Sequence, residues 1–451
     1  MLTHYIKVAF RYFAKDKVYS IINLAGLSLA VACSFLFVLW ALYEYNYEST
    51  HVNRKQIYRV QTVENAGGEL VKRATAPAPL GQALVKEFPA VANATFLNVH
   101  RFPNVIVHNE QPYSVEIGET NYQFFEVFTF EFLQGSPATV FDGERPIALS
   151  EDFARKVFGT IDGNVIGQPI YNRYKLMNNS RNDPPYIVTA VVRIPKNTHI
   201  QFDVLTDAEK TSQHGDASRT WRGRGYYTTF VQIAPNAVFD DDTRAGMANY
   251  LAKHLPDDRR KLIFQPLTDI HLTPGVADTN LSGEFGEPRY IYIFLTMAIF
   301  VLAIAIINYV NLSIARGVSR SREAGIRKVW GVQRRELVWQ FLIESMMWSF
   351  TAMFFAFLIA KVIIPWFSGI MGTTFHIDYS FRTFFAAILL SLFVGLLAGS
   401  YSAFYLSSFR PTLILKGGSP AGSRSALRKT LLAVQLTISI FIMLCTGIVY
   451  R

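Results

Sequence analysis

The chain has 451 residues, 50% of them hydrophobic and only 17% charged, and it carries a net charge of +10. A soluble chain of this length has about 25% charged residues, and the deficit here is confined to a few apolar runs, which points to membrane spans. Both cysteines, Cys33 and Cys445, lie inside such runs. The remainder is therefore neither a disulfide scaffold nor a Cys-ligated zinc protein.

Residues 1–20 place Leu2, Ile6, Ala9, Phe10 and Phe13 at three- and four-residue spacing, opposite Lys7, Arg11 and Lys15. That pattern predicts an amphipathic helix lying in the headgroup region. Ile21–Tyr43 follows without a charge and is long enough to cross a bilayer core. Ala30-Val31-Ala32-Cys33 has the look of a lipoprotein cleavage site, but Ser34 through Trp40 continue the apolar run. Retention of the segment as span 1 (21–43) is expected.

Residues 44–289 are polar enough to fold in water and read as mixed α and β. Gln56–Glu64 is a strand candidate. Val105–His108 and Tyr113–Ile117, joined by Asn109-Glu110-Gln111-Pro112, read as a hairpin. Ile147–Leu149 runs through Ser150 into a capped helix over Asp152–Phe158 that stops at Gly159. Tyr186–Val192 and Tyr226–Ile233 are further strands, and Asp241–Leu255 reads as a helix with acidic residues at its N-terminus.

This segment contains no recognisable catalytic constellation. His100, His108, His199, His214, His254 and His271 never take a metal-ligand spacing such as H-E-x-x-H. Asp240-Asp241-Asp242 lacks the rest of a calcium loop and reads as a helix start. Trp221-Arg222-Gly223-Arg224-Gly225 is either an exposed recognition loop or an ordinary surface loop.

Four more apolar runs complete the chain: 290–315, 346–367 (interrupted only by Lys361), 384–408 and 431–450. The segments before span 1, between spans 2 and 3 (316–345), and between spans 4 and 5 (409–430) hold 16 basic residues, while the 368–383 loop has only Arg382. The bias toward one face sets those three segments in the cytoplasm and 44–289 outside. The 44–289 segment has 25 basic and 29 acidic residues. The positive excess therefore lies along the inner membrane face, where anionic lipid or a cytoplasmic protein accounts for it and nucleic acid is not needed.

The expected fold is an α-helical transmembrane bundle, four spans plus the start of a fifth, with a mixed α+β periplasmic domain inserted between spans one and two. The expected location is a bacterial inner membrane. Within the spans, Asn308, Asn311, Lys361 and Gln435 are the polar exceptions, for which bonds across helices suffice, with Lys361 snorkelling outward. Gly395-x-x-x-Gly399 predicts close helix packing.

The 316–345 loop mixes seven basic residues with Ala324, Ile326, Val329, Trp330 and Val332. A short helix with exposed apolar residues, ended near Gly331, is what docking to a partner requires. A basic membrane-proximal hinge is the alternative on composition alone.

Four stretches carry a family resemblance. They are Ile6-Lys7-Val8-Ala9-Phe10-Arg11 with Tyr19 through Leu27; His51 through Val60; Leu149 through Gly159 with Val165-Ile166-Gly167 and Pro195-Lys196-Asn197-Thr198-His199; and Asn308 through Ser345. With these the chain resembles permeases of the MacB/FtsX class of ABC transporters in their long two-half form. The resemblance implies a periplasmic core domain and a coupling helix that docks on a cytoplasmic ABC ATPase subunit. Carried onto this sequence, that helix comprises Glu323, Ala324, Gly325, Ile326, Arg327, Lys328, Trp330 and Gly331. No G-x-x-x-x-G-K-[ST] occurs, so ATP hydrolysis belongs to the partner and no cofactor is expected on this chain; ATP-Mg would sit on the ATPase. A second permease half or a homodimer is implied as well. Residues 409–451 look like the start of a second half, so a truncated chain is expected.

In relatives the ATPase drives a mechanical transmission to the periplasmic domain, which extrudes lipoproteins, peptides or drugs or activates cell-wall hydrolases. The competing reading is a membrane-anchored receptor or scaffold without an ATPase. A membrane enzyme is disfavoured by the missing catalytic constellation.

Overall fold

The computed structural model describes the chain except residues 1–16, 67, 100–103, 162, 164, 173–183, 212–220, 222–226, 256–259, 274, 277–280, 282–285, 316–324, 378, 408–420 and 450–451. The expected amphipathic helix at the N-terminus lies outside the described residues. The chain divides into a helical unit and a second unit formed by Tyr43–Pro288.

Among the described residues, five helices are long and apolar enough to cross a membrane. They are Lys17–Tyr45, Pro288–Ala315, Arg334–Met371, Phe381–Ser407 and Ala421–Val449. The first, third and fourth bury Leu27, Val31, Ala32, Ala352, Ala356 and Val394 together. Small residues set the closest approach. A Cβ on Gly395 would come within 2.8 Å of the Met346 backbone, and one on Gly399 within 2.7 Å of Ser345 Cβ. The Ser34 hydroxyl donates to the Ala298 carbonyl at 2.8 Å, joining the first two helices. Phe441 of the fifth meets Phe300 of the second edge to face.

The third helix begins twelve residues before the span expected at Met346. Its first turns are amphipathic: Leu337, Phe341 and Leu342 are buried with Ala403 of the fourth helix, while Arg334, Arg335 and Trp339 are exposed. An apolar window misses such a stretch because charge alternates with the buried stripe. Gln333 and Glu336 close a capping box at its start. Of the polar intramembrane residues, Lys361 is exposed, and Asn308 lies beside Gly26 of the first helix.

The second unit is built on one extended sheet. Its strand order is Lys261–Pro266, Ile57–Ala66, Thr228–Ile233, Val91–Val99, Ile117–Thr120, Val204–Asp207, Pro146–Ser150, Tyr186–Arg193, Pro169–Asn172, Asn104–His108 and Gln111–Val115. Neighbours run antiparallel except Ile117–Thr120 with Val204–Asp207 and Pro146–Ser150 with Tyr186–Arg193, which are parallel. Two short strands, Glu69–Arg73 and Glu131–Gln134, pair beside this path. An aromatic core around Phe124, Phe128, Phe202 and Phe230 packs against Ile57, Leu97 and Leu205 of the sheet. Burying one such side chain contributes about 1.5–3 kcal/mol.

The hairpin is tighter than expected. Val107 pairs with Pro112 and His108 with Gln111, leaving only Asn109-Glu110 as the turn. Both turn residues have positive φ (46° and 63°), the backbone sense that matches strand twist in two-residue hairpins. Pro112 is tolerated because its strand ends the sheet path. Ile117 belongs to the next strand, pairing with Val204.

The capped helix runs Glu151–Phe158, with Ser150 Oγ accepting from Phe153 N and Gly159 at φ 76°. Asp240 caps Asp241–Ala248 by accepting from Thr243 N at 2.9 Å. The single helix expected over Asp241–Leu255 is two pieces, broken at Asn249 before Tyr250–His254. Tyr227 contributes an isolated bridge to Ala76 rather than a strand residue. Trp221 stacks on His254 at 3.9 Å, and the rest of that loop lies outside the described residues.

Candidate functional site

In the basic loop, Glu323 and Ala324 lie outside the described residues, and residues 325–329 form one helical turn and a half. The turn ends as glycine dictates. Gly331 takes φ 90°, Trp330 N donates to Ile326 O, and Val332 N donates back to Arg327 O. Such a left-handed residue satisfies helix-end carbonyls that would otherwise be orphaned. Val332 then packs with Leu337 and Phe341, and Arg327 Nη1 donates to Gln340 Oε1 at 2.9 Å. The short helix is thus fastened to the helix that follows it.

What this fastening leaves uncovered is apolar. Ile326 is 47% exposed, Val329 65% and Trp330 85%, while Gly325 is buried. Burial, and then Arg334 nearby, push the Lys328 ammonium below its usual range. The surface combines an aromatic, two aliphatics and fixed positive charge, a composition suited to a protein partner.

A second constellation lies in the large domain, where the chain leaves the first helix. Glu48 is fully buried with φ 62°. Its carboxylate accepts from His199 N and His199 Nδ1, both at 2.7 Å, and from Thr198 Oγ1 at 2.6 Å, with His51 Nε2 at 3.2 Å. Thr129 N donates to His51 Nδ1, which leaves the His51 proton on Nε2, facing Glu48. Burial alone would raise the Glu48 carboxyl, but the hydrogen bonds from His199 and His51 outweigh it and hold the group at about 2. Burial pushes His199 down despite Glu48 beside it. The pair is therefore an anionic carboxylate and a neutral imidazole.

Three histidines far apart in sequence meet here. Tyr47 stacks on His271 at 3.7 Å and tilts against His199 at 4.8 Å, and His271 Nε2 lies 2.7 Å from Glu44 Oε2. Spacing along the chain could not reveal this, because loops of the sheet bring His199 and His271 to residues 44–51. Two carboxylates directly after a span, and the 195–199 motif, were the available signals. Among the described residues no group of three or more His, Cys, Asp or Glu is arranged to hold a metal ion; the contacts within this cluster are hydrogen bonds and ring stacking.

In the helical unit, an apolar cavity of about 490 Å³ lies among the first four helices, lined by Val31, Val38, Leu302, Phe357 and Leu390 among others. Its lining suits hydrocarbon, not an ion.

The fold defines a multi-pass membrane protein with one large domain between its first two span helices. Comparison with known proteins gives the family. A family model described as MacB-like periplasmic core domain matches residues 20–244, and one described as FtsX-like permease C-terminal matches residues 295–411. The chain belongs to the MacB/FtsX class of ABC transporter permeases, and Tyr43–Pro288 contains its periplasmic domain.

Among solved structures, a domain of a putative permease from Porphyromonas gingivalis is similar at 17% identity and TM-score 0.41, covering 51% of this chain and 95% of that one. The periplasmic region of MacB from Actinobacillus actinomycetemcomitans is similar at 12% identity and TM-score 0.34, covering 50% and 92%. The extracellular domain of the noncanonic ABC-type transporter YknZ from Gram-positive bacteria is similar at 12% identity and TM-score 0.32, covering 46% and 99%. The assignment rests on the two family models rather than on these superpositions. No curated protein matches the chain.

Proposed function

We propose that this permease couples ATP hydrolysis on a separate cytoplasmic ATPase to movement of its periplasmic domain in a bacterial inner membrane. The observation that carries the reading is the helix at 325–329. It exposes Ile326, Val329 and Trp330 to solvent while Arg327 and Val332 tie it to the third span helix. A force applied at that surface passes directly into a membrane helix. Glu323, Ala324, Gly325, Ile326, Arg327, Lys328, Trp330 and Gly331 form the proposed coupling segment. ATP-Mg would reside on the partner, and a second permease half or a second copy would complete the transporter.

The transmission is mechanical: the energy comes from nucleotide on the partner, and this chain supplies a linkage with two arrangements. The cargo class is extruded lipoprotein, peptide or drug-like molecule. The apolar character of the bundle cavity supports transmission over conduction of a polar solute through these spans.

The test is a mild-detergent pull-down of the chain from its host, with mass spectrometry of what accompanies it. A nucleotide-binding ATPase that is lost on Ile326→Asp with Trp330→Asp is the expected result. An ATPase retained by that variant removes the docking site. Absence of any ATPase, with crosslinker present and nucleotide varied, leaves a receptor or scaffold.

A further inference from the structure

The buried network around Glu48 has a geometry that its chemistry does not require. A carboxylate removed from water is unfavourable unless its lone pairs are satisfied, and Glu48 is held by four donor atoms at 3.2 Å or less. Its left-handed backbone is strained for a residue other than glycine. Strain of this kind persists only where the surroundings over-determine the conformation. Here the backbone contributes too, since Glu48 N donates to Asn197 O at 2.8 Å.

The network joins three stretches of chain. The inbound stretch is 44–51, which begins in the last turn of the first helix. The second is the 195–201 loop after the Tyr186–Arg193 strand. The outbound stretch, 267–271 with Gly286, leads to the second helix at Pro288. The inbound and outbound stretches touch directly. Glu44 Oε2 pairs with His271 Nε2 at 2.7 Å, and a Cβ on Gly286 would fall 2.5 Å from that nitrogen and 2.6 Å from Glu44 Oε2. Gly286 N donates to His271 O at 3.0 Å. Tyr47, between Glu44 and Glu48 in sequence, places its ring on His271 and against His199. His271 is itself anchored through Leu267 and Ile270, both fully buried in the aromatic core.

We propose that Glu44, Tyr47 and Glu48 buckle the inbound chain to the outbound chain, so that the two connections of the periplasmic domain respond as one element. Glu44 and Glu48 are positioning residues. Glu48 fixes the inbound chain to the 195–201 loop, Glu44 fixes it to the outbound chain, and the Tyr47 ring carries a disturbance from one to the other. Under the transmission reading above, on which this consequence alone rests, a displacement of either span reaches the domain undivided instead of being taken up by slack at one connection.

The experiment reads the buckle without an ATPase, so its outcome is separate from that of the pull-down. Hydrogen exchange is followed by mass spectrometry on the full chain in mild detergent, using peptides over 195–202 and 267–273, with 146–150 and 186–193 as controls. Glu48→Gln is expected to speed exchange about tenfold or more in 195–202, where the His199 amide loses a charged acceptor. It is also expected to speed exchange in 267–273, which Glu48 does not touch, while the controls stay unchanged. Acceleration confined to 195–202 overturns the proposal and makes Glu48 a local cap of that loop; acceleration nowhere overturns it as well. If Glu48→Gln also disturbs the controls, Tyr47→Leu decides: faster exchange in both segments supports the buckle, and in one or neither overturns it.

Discussion

Arg327 Nη1 and Gln340 Oε1 lie 2.9 Å apart and join the helix at 325–329 to the second turn of Arg334–Met371. The bond is half-buried and has a neutral acceptor with a charged donor, so its loss costs about 1.5–3 kcal/mol at most. Gln340→Ala is expected to speed amide exchange of Trp330, Gly331 and Val332 by about tenfold, leaving the third helix protected. Under the proposed coupling it should lower ATPase-driven activity more than ATPase binding, because Ile326 and Trp330 remain in place. Hydrogen exchange and co-purification on the same sample check both parts.

The glycine pair in the fourth helix predicts a sharp steric limit. Gly395→Leu drives a side chain into the Met346 backbone, and Gly399→Leu into Ser345. Overpacking of this kind costs about 1–3 kcal/mol or more. Even Gly395→Ala should lower the midpoint of thermal unfolding in detergent, since the nearest atom is backbone and cannot rotate away. Gly369→Ala, with nothing within 4 Å of its added methyl, serves as the neutral control.

Acid should weaken the periplasmic domain in two windows. Burial keeps His199 neutral in the fold, so the unfolded chain binds more protons as pH falls below the free imidazole value of 6.5. Stability contributed by this group is present above that value and lost beneath it. Glu48 is held at about 2 against an ordinary 4.5, so its contribution is present above 4.5 and lost as pH falls toward 2. Near-ultraviolet circular dichroism of the full chain across this range is expected to show both losses, with Glu48→Gln removing the lower one.

Arg59 predicts the opposite sign from most core substitutions. Its side chain is fully buried, donates from Nη2 to Gln265 Oε1 at 2.5 Å, and leaves Nε and Nη1 without a partner among the described residues. Burial pushes the guanidinium down to about 10. Gln265 Oε1 also accepts from Gln61 Nε2, so it keeps a donor if Arg59 is removed. Arg59→Met should therefore raise stability by about 1–4 kcal/mol, seen as a higher midpoint in thermal or urea unfolding.

The membrane helices were legible because twenty apolar residues in a row have few other uses, but the third and fifth begin at Arg334 and Ala421, well before their apolar runs. Leu337 and Phe341 are core residues set among Arg334, Arg335 and Glu336, so the third helix begins well before its apolar run. The strands were legible by alternation, but pairing was not. Ile117 reads as the end of a hairpin, yet it joins a parallel partner far along the chain. The proposed coupling segment stands out in the sequence because Ile326 and Trp330 conflict with the charges around them, and both are exposed. The Glu48 network could not, because its members are local in space and scattered in sequence.

Glu44 and Gly286, 242 residues apart in sequence, lie side by side where the chain enters and leaves the unit Tyr43–Pro288. A module whose two ends coincide is a cassette: it occupies the chain as a detour between two positions that a few residues could bridge. The membrane helices could keep their order and spacing while the cassette was shortened, exchanged for a relative's or removed. Under the proposed function, what the periplasmic side handles could change while the helices that span the bilayer stayed as they are.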